Sequence, residues 1–199
     1  QTGPADPPVF QAGTAARARV SSAGRTYNQD WTPRSRGNGC TDRRHLPMRS
    51  DRPILLADIG GTNARFALLG NDDQGPHAVR RLPCGDYSGL TEAAEDYLSA
   101  VDGPGPAGAI VAVAGPVSAG EFTLTNSGWR ISPAQIRKSL NLGDLVIVND
   151  FVAQAMAVPV LSGRDLRQLG PGAARAEAPV AVIGPGTGLG VASLVRCAG

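Results

Sequence analysis

Leu55-Leu56-Ala57-Asp58-Ile59-Gly60-Gly61-Thr62-Asn63-Ala64-Arg65-Phe66-Ala67-Leu68 decides the fold. An apolar run takes in a carboxylate, breaks at two glycines and resumes with alternating apolar residues. Strict alternation marks a half-buried strand and a continuous apolar run a buried one. The stretch therefore predicts two strands, Pro53–Ile59 and Asn63–Leu69, joined by a sharp turn. A carboxylate at the end of a buried strand is costly unless it is exposed in a cleft, paired or near a metal. Beside a Gly-Gly-Thr turn, Asp58 suits Mg²⁺ and phosphate oxygens, because Mg²⁺ takes oxygen ligands and keeps several waters. The plainer reading is an Asp-capped hairpin turn.

Further along, Ala78–Leu82 reads as a third strand and Leu90–Val101 as an amphipathic helix. Gly108–Ala114 is a buried strand and Glu121–Thr125 a weaker one. Ser132–Leu140 is a helix with Ser132 as N-cap and Pro133 at its first position. Leu145–Val148 is a buried strand, Phe151–Val158 a helix stopped by Pro159, and Arg164–Leu169 a short helix. Val180–Ile183 and Val191–Val195 are strands flanking a glycine loop. Grouped strands followed by strand–helix alternation predict an α/β fold, a mixed sheet with helices on its faces. The strand, glycine turn, strand device occurs twice, which points to two related halves.

The second device, Gly184-Pro185-Gly186-Thr187-Gly188-Leu189-Gly190, lacks the GxGxxG spacing and is followed by strand-forming residues. A dinucleotide fingerprint needs a helix there, and a Walker A loop needs Gly-Lys-Ser/Thr. The segment is therefore a hairpin turn whose bare backbone N–H groups can meet phosphate oxygens. In Val146-Ile147-Val148-Asn149-Asp150-Phe151 a buried strand again ends in polar residues before a helix. Asp150 is placed to take a proton from a hydroxyl attacking phosphorus, with Asn149 holding the same substrate. The alternative is that Asp150 only N-caps the helix. Leu124-Thr125-Asn126-Ser127-Gly128-Trp129-Arg130 is a polar loop that could line a sugar site, with Trp129 as a contact or a packing anchor.

Composition sets the bounds. The chain has 199 residues and is 42% hydrophobic. It has no apolar run of the roughly 18–20 residues needed to span a bilayer. Cys40, Cys84 and Cys197 are scattered, which excludes a CxxC-type zinc site and favours reduced thiols. His45 and His77 are isolated. The net charge of +2 divides unevenly: eight Arg and three Asp give residues 1–50 a charge of +5, so the remainder carries −3. Those arginines lie among Gly, Pro, Ser and Thr rather than on one helical face, which argues against nucleic-acid binding. Residues 1–50 show no periodicity and read as disordered, with the natural start expected at Met48.

DIGGTNARFAL, AVAGPV, LTNSGWRIS, IVNDFVAQAMAVP and GPGTGLGVASLV together resemble the bacterial glucokinases, in that family's order and spacing, from about Ile54 to Val195. The resemblance implies a ribonuclease H-like (actin-like ATPase) fold. It implies a small domain over 51–160 and the start of a large domain over 161–199. It implies ATP-dependent phosphorylation of the glucose 6-hydroxyl in the cytoplasm, with ATP and Mg²⁺ as cofactors, and without nucleic-acid or membrane partners. Homodimer formation by the full-length protein is an expectation of the same kind. By position, Asp58, Gly60, Gly61 and Thr62 match the first phosphate motif, with Asp58 toward the metal. Gly186, Thr187 and Gly188 match the second. Asp150 matches the catalytic base, and Asn149 and Asn126 match sugar contacts. The family's Glu/His sugar segment and adenosine motif are missing before Gly199, so the 199 residues alone are expected to be poorly stable and inactive. Related sugar-sensing regulators carry a helix-turn-helix that residues 1–50 do not offer. A non-catalytic fragment is the third alternative.

Overall fold

A computed structural model describes residues 17–22, 25–29, 51–70, 75–118, 120–173, 175, 178–185 and 189–197. Its strands are β1 (Arg17–Ser22), β2 (Arg25–Gln29), β3 (Ile54–Ile59), β4 (Asn63–Leu69), β5 (Pro76–Pro83) and β6 (Gly108–Val113). They continue with β7 (Phe122–Thr123), β8 (Arg130–Ile131), β9 (Asp144–Asn149), β10 (Val180–Pro185) and β11 (Leu189–Cys197). The helices are α1 (Leu90–Ser99), α2 (Pro133–Ser139) and α3 (Asp150–Ala157).

The main sheet has the order β5-β4-β3-β6-β9. The opening stretch folds as the antiparallel hairpin β3–β4, with Asp58 opposite Arg65. On its other side β3 runs parallel to β6, and β6 parallel to β9. Ile59, Val113 and Asn149 therefore end in one row, at the carboxyl edge of three parallel strands. This edge is where open α/β sheets place ligands.

The core lies on the face of this sheet covered by α1 and α2. Leu55, Ile59, Phe66, Val111 and Val113 are buried there with Tyr97 and Ile136. The apolar stripe of α1, Leu90, Ala93, Ala94 and Tyr97, has the three- and four-residue spacing of one helical face. Phe66 and Tyr97 stack with ring centroids 5.3 Å apart.

The second sheet has the order β10-β11-β1-β2. β10 and β11 are antiparallel, with Gly184 opposite Gly190. One face packs on α3, where Val148, Val152, Ala155, Ala192 and Leu194 are buried. The other face presents Ile183, Leu189, Val191 and Val195 to solvent.

Three sequence expectations need correction. Residues 1–50 are not wholly without regular structure, because β1 pairs antiparallel with β11 and β2 with β1. A strand edge offers unpaired N–H and C=O groups, and pairing onto it extends a segment that has no pattern of its own. Arg164–Leu169 forms no helix: a single 3-10 turn, Gly163–Asp165, is closed by Ser162 and Asp165. Ser132 does stand at the N-cap position of α2 with Pro133 next, but its side chain does not make the cap; it is hydrogen-bonded with Glu121 instead.

Candidate functional site

The first turn is built tightly. Gly60 donates its N–H to the Asn63 carbonyl at 2.9 Å, which closes the bend. Cys84 braces the turn: its N–H donates to Thr62 O at 2.8 Å, and its thiol to Gly60 O at 3.6 Å. Burial pushes the Cys84 thiol above its ordinary range, so it sits there as a neutral packing group. Among the described residues, no hydrogen bond takes the N–H of Gly61 or Thr62. Thr62 itself is exposed.

Asp58 is exposed rather than buried, and Arg65 Nη1 donates to its Oδ2 at 2.8 Å. Both side chains are about half exposed, which meets the condition that a strand-end carboxylate be paired or solvated.

Asn149, not Asp150, caps α3. Its Oδ1 accepts from Phe151 N at 3.1 Å and from Val152 N at 3.3 Å. Its Nδ2 donates to Gly115 O at 3.1 Å and to Asp150 Oδ1 at 2.8 Å. Both amide hydrogens and both acceptor positions of Asn149 are thus used within the protein. Asp150 Oδ1 also accepts from Phe151 N at 2.9 Å. Asp150 is half-buried at the mouth of the strands. Desolvation pushes its carboxyl above the usual range, and the negative charge of Asp58 pushes the same way; the Phe151 N–H opposes both. The carboxylates from the first and third motifs thus feel one another, although 92 residues of sequence separate them.

The loop after β7 also reaches this edge. Leu124 and Trp129 are buried, Leu124 N donates to Trp129 O at 2.9 Å, and Gly128 N to Leu124 O at 2.8 Å. Trp129 is a packing anchor, its indole N–H donating to Tyr87 O at 3.3 Å. Asn126 stands exposed at the loop tip, and a Cβ placed on Gly61 would lie 2.7 Å from Asn126 Cβ. The second reason for glycine at position 61 is therefore steric: the sugar-loop candidate lies against the phosphate-turn candidate. The spacing of either motif alone could not signal this contact.

Gly186, Thr187 and Gly188 lie outside the described residues. Their hairpin is present in the flanking β10–β11 ladder, which supports the reading of the glycine segment as a strand–turn–strand unit. Among the described residues no cluster of three or more His, Cys, Asp or Glu could hold a metal by itself. The donor set does fit a Mg²⁺ that arrives on phosphate: one or two carboxylates suffice when phosphate and water supply the other oxygens. Asp58 is the accessible carboxylate of the pair.

Two antiparallel hairpins, the first running into parallel strands, with acidic residues at the carboxyl edge, make the actin-like ATPase fold. A crystal structure of a glucokinase from an Antarctic psychrotroph shares it: TM-score 0.67 and 41% identity, over 75% of this chain and 48% of that one. The glucokinase family model matches residues 55–199. A glucokinase of Aromatoleum aromaticum is 46% identical over 146 residues, 73% of this chain and 44% of the relative. One of Sinorhizobium medicae is 44% identical over 154 residues, 75% and 45% respectively. The chain belongs to the glucokinase family. It spans less than half the length of the curated relatives it matches.

Proposed function

We propose that these residues form one part of an ATP-dependent glucose kinase that makes glucose 6-phosphate. The observation that carries the reading is Asp150: a half-buried carboxylate with a raised proton affinity, at the carboxyl edge of the sheet, beside Asp58 and the Gly60-Gly61-Thr62 turn.

In this reading the sugar 6-hydroxyl donates a hydrogen bond to the Asp150 carboxylate. As that oxygen bonds to the γ-phosphorus, the bond from phosphorus to ADP breaks and the proton passes to Asp150. The raised pKa makes Asp150 a stronger base than an ordinary aspartate. The N–H groups of Gly61 and Thr62 meet phosphate oxygens on the first hairpin; Gly186, Thr187 and Gly188 do so on the second. Phosphoryl transfer needs mainly such positioning and charge stabilisation. A Mg²⁺ carried with ATP and held by Asp58 would neutralise phosphate charge. Asn126 faces the sugar from its loop. A sugar contact at Asn149 would replace its bond to Asp150, because its oxygen is committed to the cap and its other N–H to Gly115 O.

The same reading takes 51–160 as the small domain and 161–199 as the start of a large one. It places the enzyme in the cytoplasm, leaves homodimer formation to the full-length protein, and expects the 199 residues alone to be inactive. No helix among the described residues is long and apolar enough to cross a membrane.

The test is coupled detection of glucose 6-phosphate with the natural full-length protein, ATP and glucose. Asp150→Asn is expected to lower kcat by about 10²–10⁴-fold, the usual worth of a general base, with glucose still bound. Near-normal turnover in that variant removes Asp150 from the role, and detectable turnover by the 199-residue chain refutes the expected inactivity.

A further inference from the structure

Gly184 and Gly190 face each other across the β10–β11 ladder. Neither has a backbone conformation that requires glycine. What excludes a side chain at both is the ring of Phe151. A Cβ on Gly184 would lie 2.8 Å from Phe151 Cζ, and a Cβ on Gly190 would fall inside the ring itself. The neighbouring inward positions, Val182 and Ala192, carry side chains and pack on α3. Two facing glycines thus make a slot one ring deep, and the residue filling it follows Asp150 directly in sequence.

From this slot we infer that Phe151 is a positioning residue: its ring keys the β10–β11 hairpin to the start of α3, setting the distance between those two strands and Asp150. Gly184 and Gly190 are then glycines for the ring, not for the phosphates. The inference rests on the kinase reading for its effect on turnover, and on packing alone for the key itself. The backbone of Phe151 is held at the helix start, because its N–H donates to Asn149 and Asp150 and Asn149 is itself tied to Gly115 O. A side chain at 190 therefore pushes the hairpin away from a ring whose helix start is anchored.

The test is a size-swap cycle of Gly190→Ala, Phe151→Leu and the double variant. In the natural full-length protein Gly190→Ala is expected to raise KM for ATP by about 10- to 100-fold, the scale of an ångström-sized misplacement, with KM for glucose changed less than about twofold. The double variant is expected to recover most of that loss, because the smaller side chain makes room for the added methyl. Gly190→Ala at wild-type KM overturns the inference. So does a double variant no better than Gly190→Ala while Phe151→Leu alone is near normal, since the glycine would then serve the phosphates directly. The second measurement is made on the natural full-length protein: the Gly190 Hα resonances are expected upfield through the ring current of Phe151, and back in the ordinary range in Phe151→Leu. Ordinary shifts in the unmodified chain overturn the key. Upfield shifts alongside a full-length protein that makes no glucose 6-phosphate sink the kinase reading instead and leave the key standing.

Discussion

Asp58 and Arg65 are direct cross-strand partners, and Arg65 Nη1 lies 2.8 Å from Asp58 Oδ2. The pair sits on the solvent-exposed side of a hairpin whose other face is core. Arg65 therefore shields the charge that acts on Asp150. Exposed pairs contribute about 0–1 kcal/mol to stability, so Arg65→Gln is expected to shift urea unfolding by no more than that. Its larger effect is electrostatic. Unmasking Asp58 raises the proton affinity of Asp150 further, so the acidic limb of the pH–rate profile moves to higher pH. An unmoved limb would separate the two carboxylates functionally.

Asp150 also predicts a stability trade-off. Its folded-state pKa is raised, so the folded chain holds that proton more firmly than the unfolded chain. Stability from this group is present below the unfolded carboxylate pKa of about 3.9 and is lost as pH rises through the folded value. Asp150→Asn removes the cost, and the variant is expected to melt at a higher temperature than the parent at pH 7. Thermal melts at falling pH should show that gap closing toward pH ~4. A variant less stable at pH 7 contradicts the sign.

Trp129 holds the Asn126 loop to the body of the protein. It is 3% exposed, and its indole N–H is bonded to Tyr87 O. Truncation of a buried Trp costs about 3–5 kcal/mol, so Trp129→Ala is expected to unfold the small sheet of β7 and β8. Trp129→Phe keeps most of the packing and loses the hydrogen bond, for about 1–2 kcal/mol. Denaturant midpoints of the two variants check the order.

Ala78 lies in β5 with φ of 51°, where the chain shifts register opposite Phe66 and Leu68. Its carbonyl accepts from the buried Tyr97 hydroxyl at 2.9 Å, which holds the residue in place. A left-handed conformation costs an L-residue roughly 1–2 kcal/mol. Ala78→Gly is therefore expected to be neutral or stabilising by up to about 1 kcal/mol, against the usual cost of glycine in a strand. Tyr97→Phe should lose about 0.5–1.5 kcal/mol through the unmet bond. Calorimetric melting of both variants tests the pair.

The two hairpins were legible because their physics is local. Leu55–Ile59 is an apolar run that takes in Asp58, the residues after the turn alternate, and a glycine pair joins the two strands. Asp58 and Asp150 were legible because a carboxylate at the end of an apolar strand needs a reason. The alternative reading of Asp150 as only the cap of α3 falls away, since Asn and Asp both cap well and the geometry assigns the cap to Asn149. Strand β5 begins before the expected Ala78, at Pro76, because the turn of backbone at Ala78 interrupts the alternation. The seating of Asn126 on Gly61 and of Phe151 on Gly184 and Gly190 depends on how separate segments meet. No spacing within one motif encodes such contacts.

The outward side of β10 and β11 has a consequence for handling the molecule. Ile183 stands opposite Val191, and Pro185 opposite Leu189, so their side chains form one continuous greasy strip. β10 is also the terminal strand of its sheet. A strip and an open ladder on the same surface favour stacking of one molecule on another. The soluble concentration of the 199-residue chain is therefore set by this strip more than by its net charge, and a single lysine at position 183 should raise that ceiling more than any change of salt.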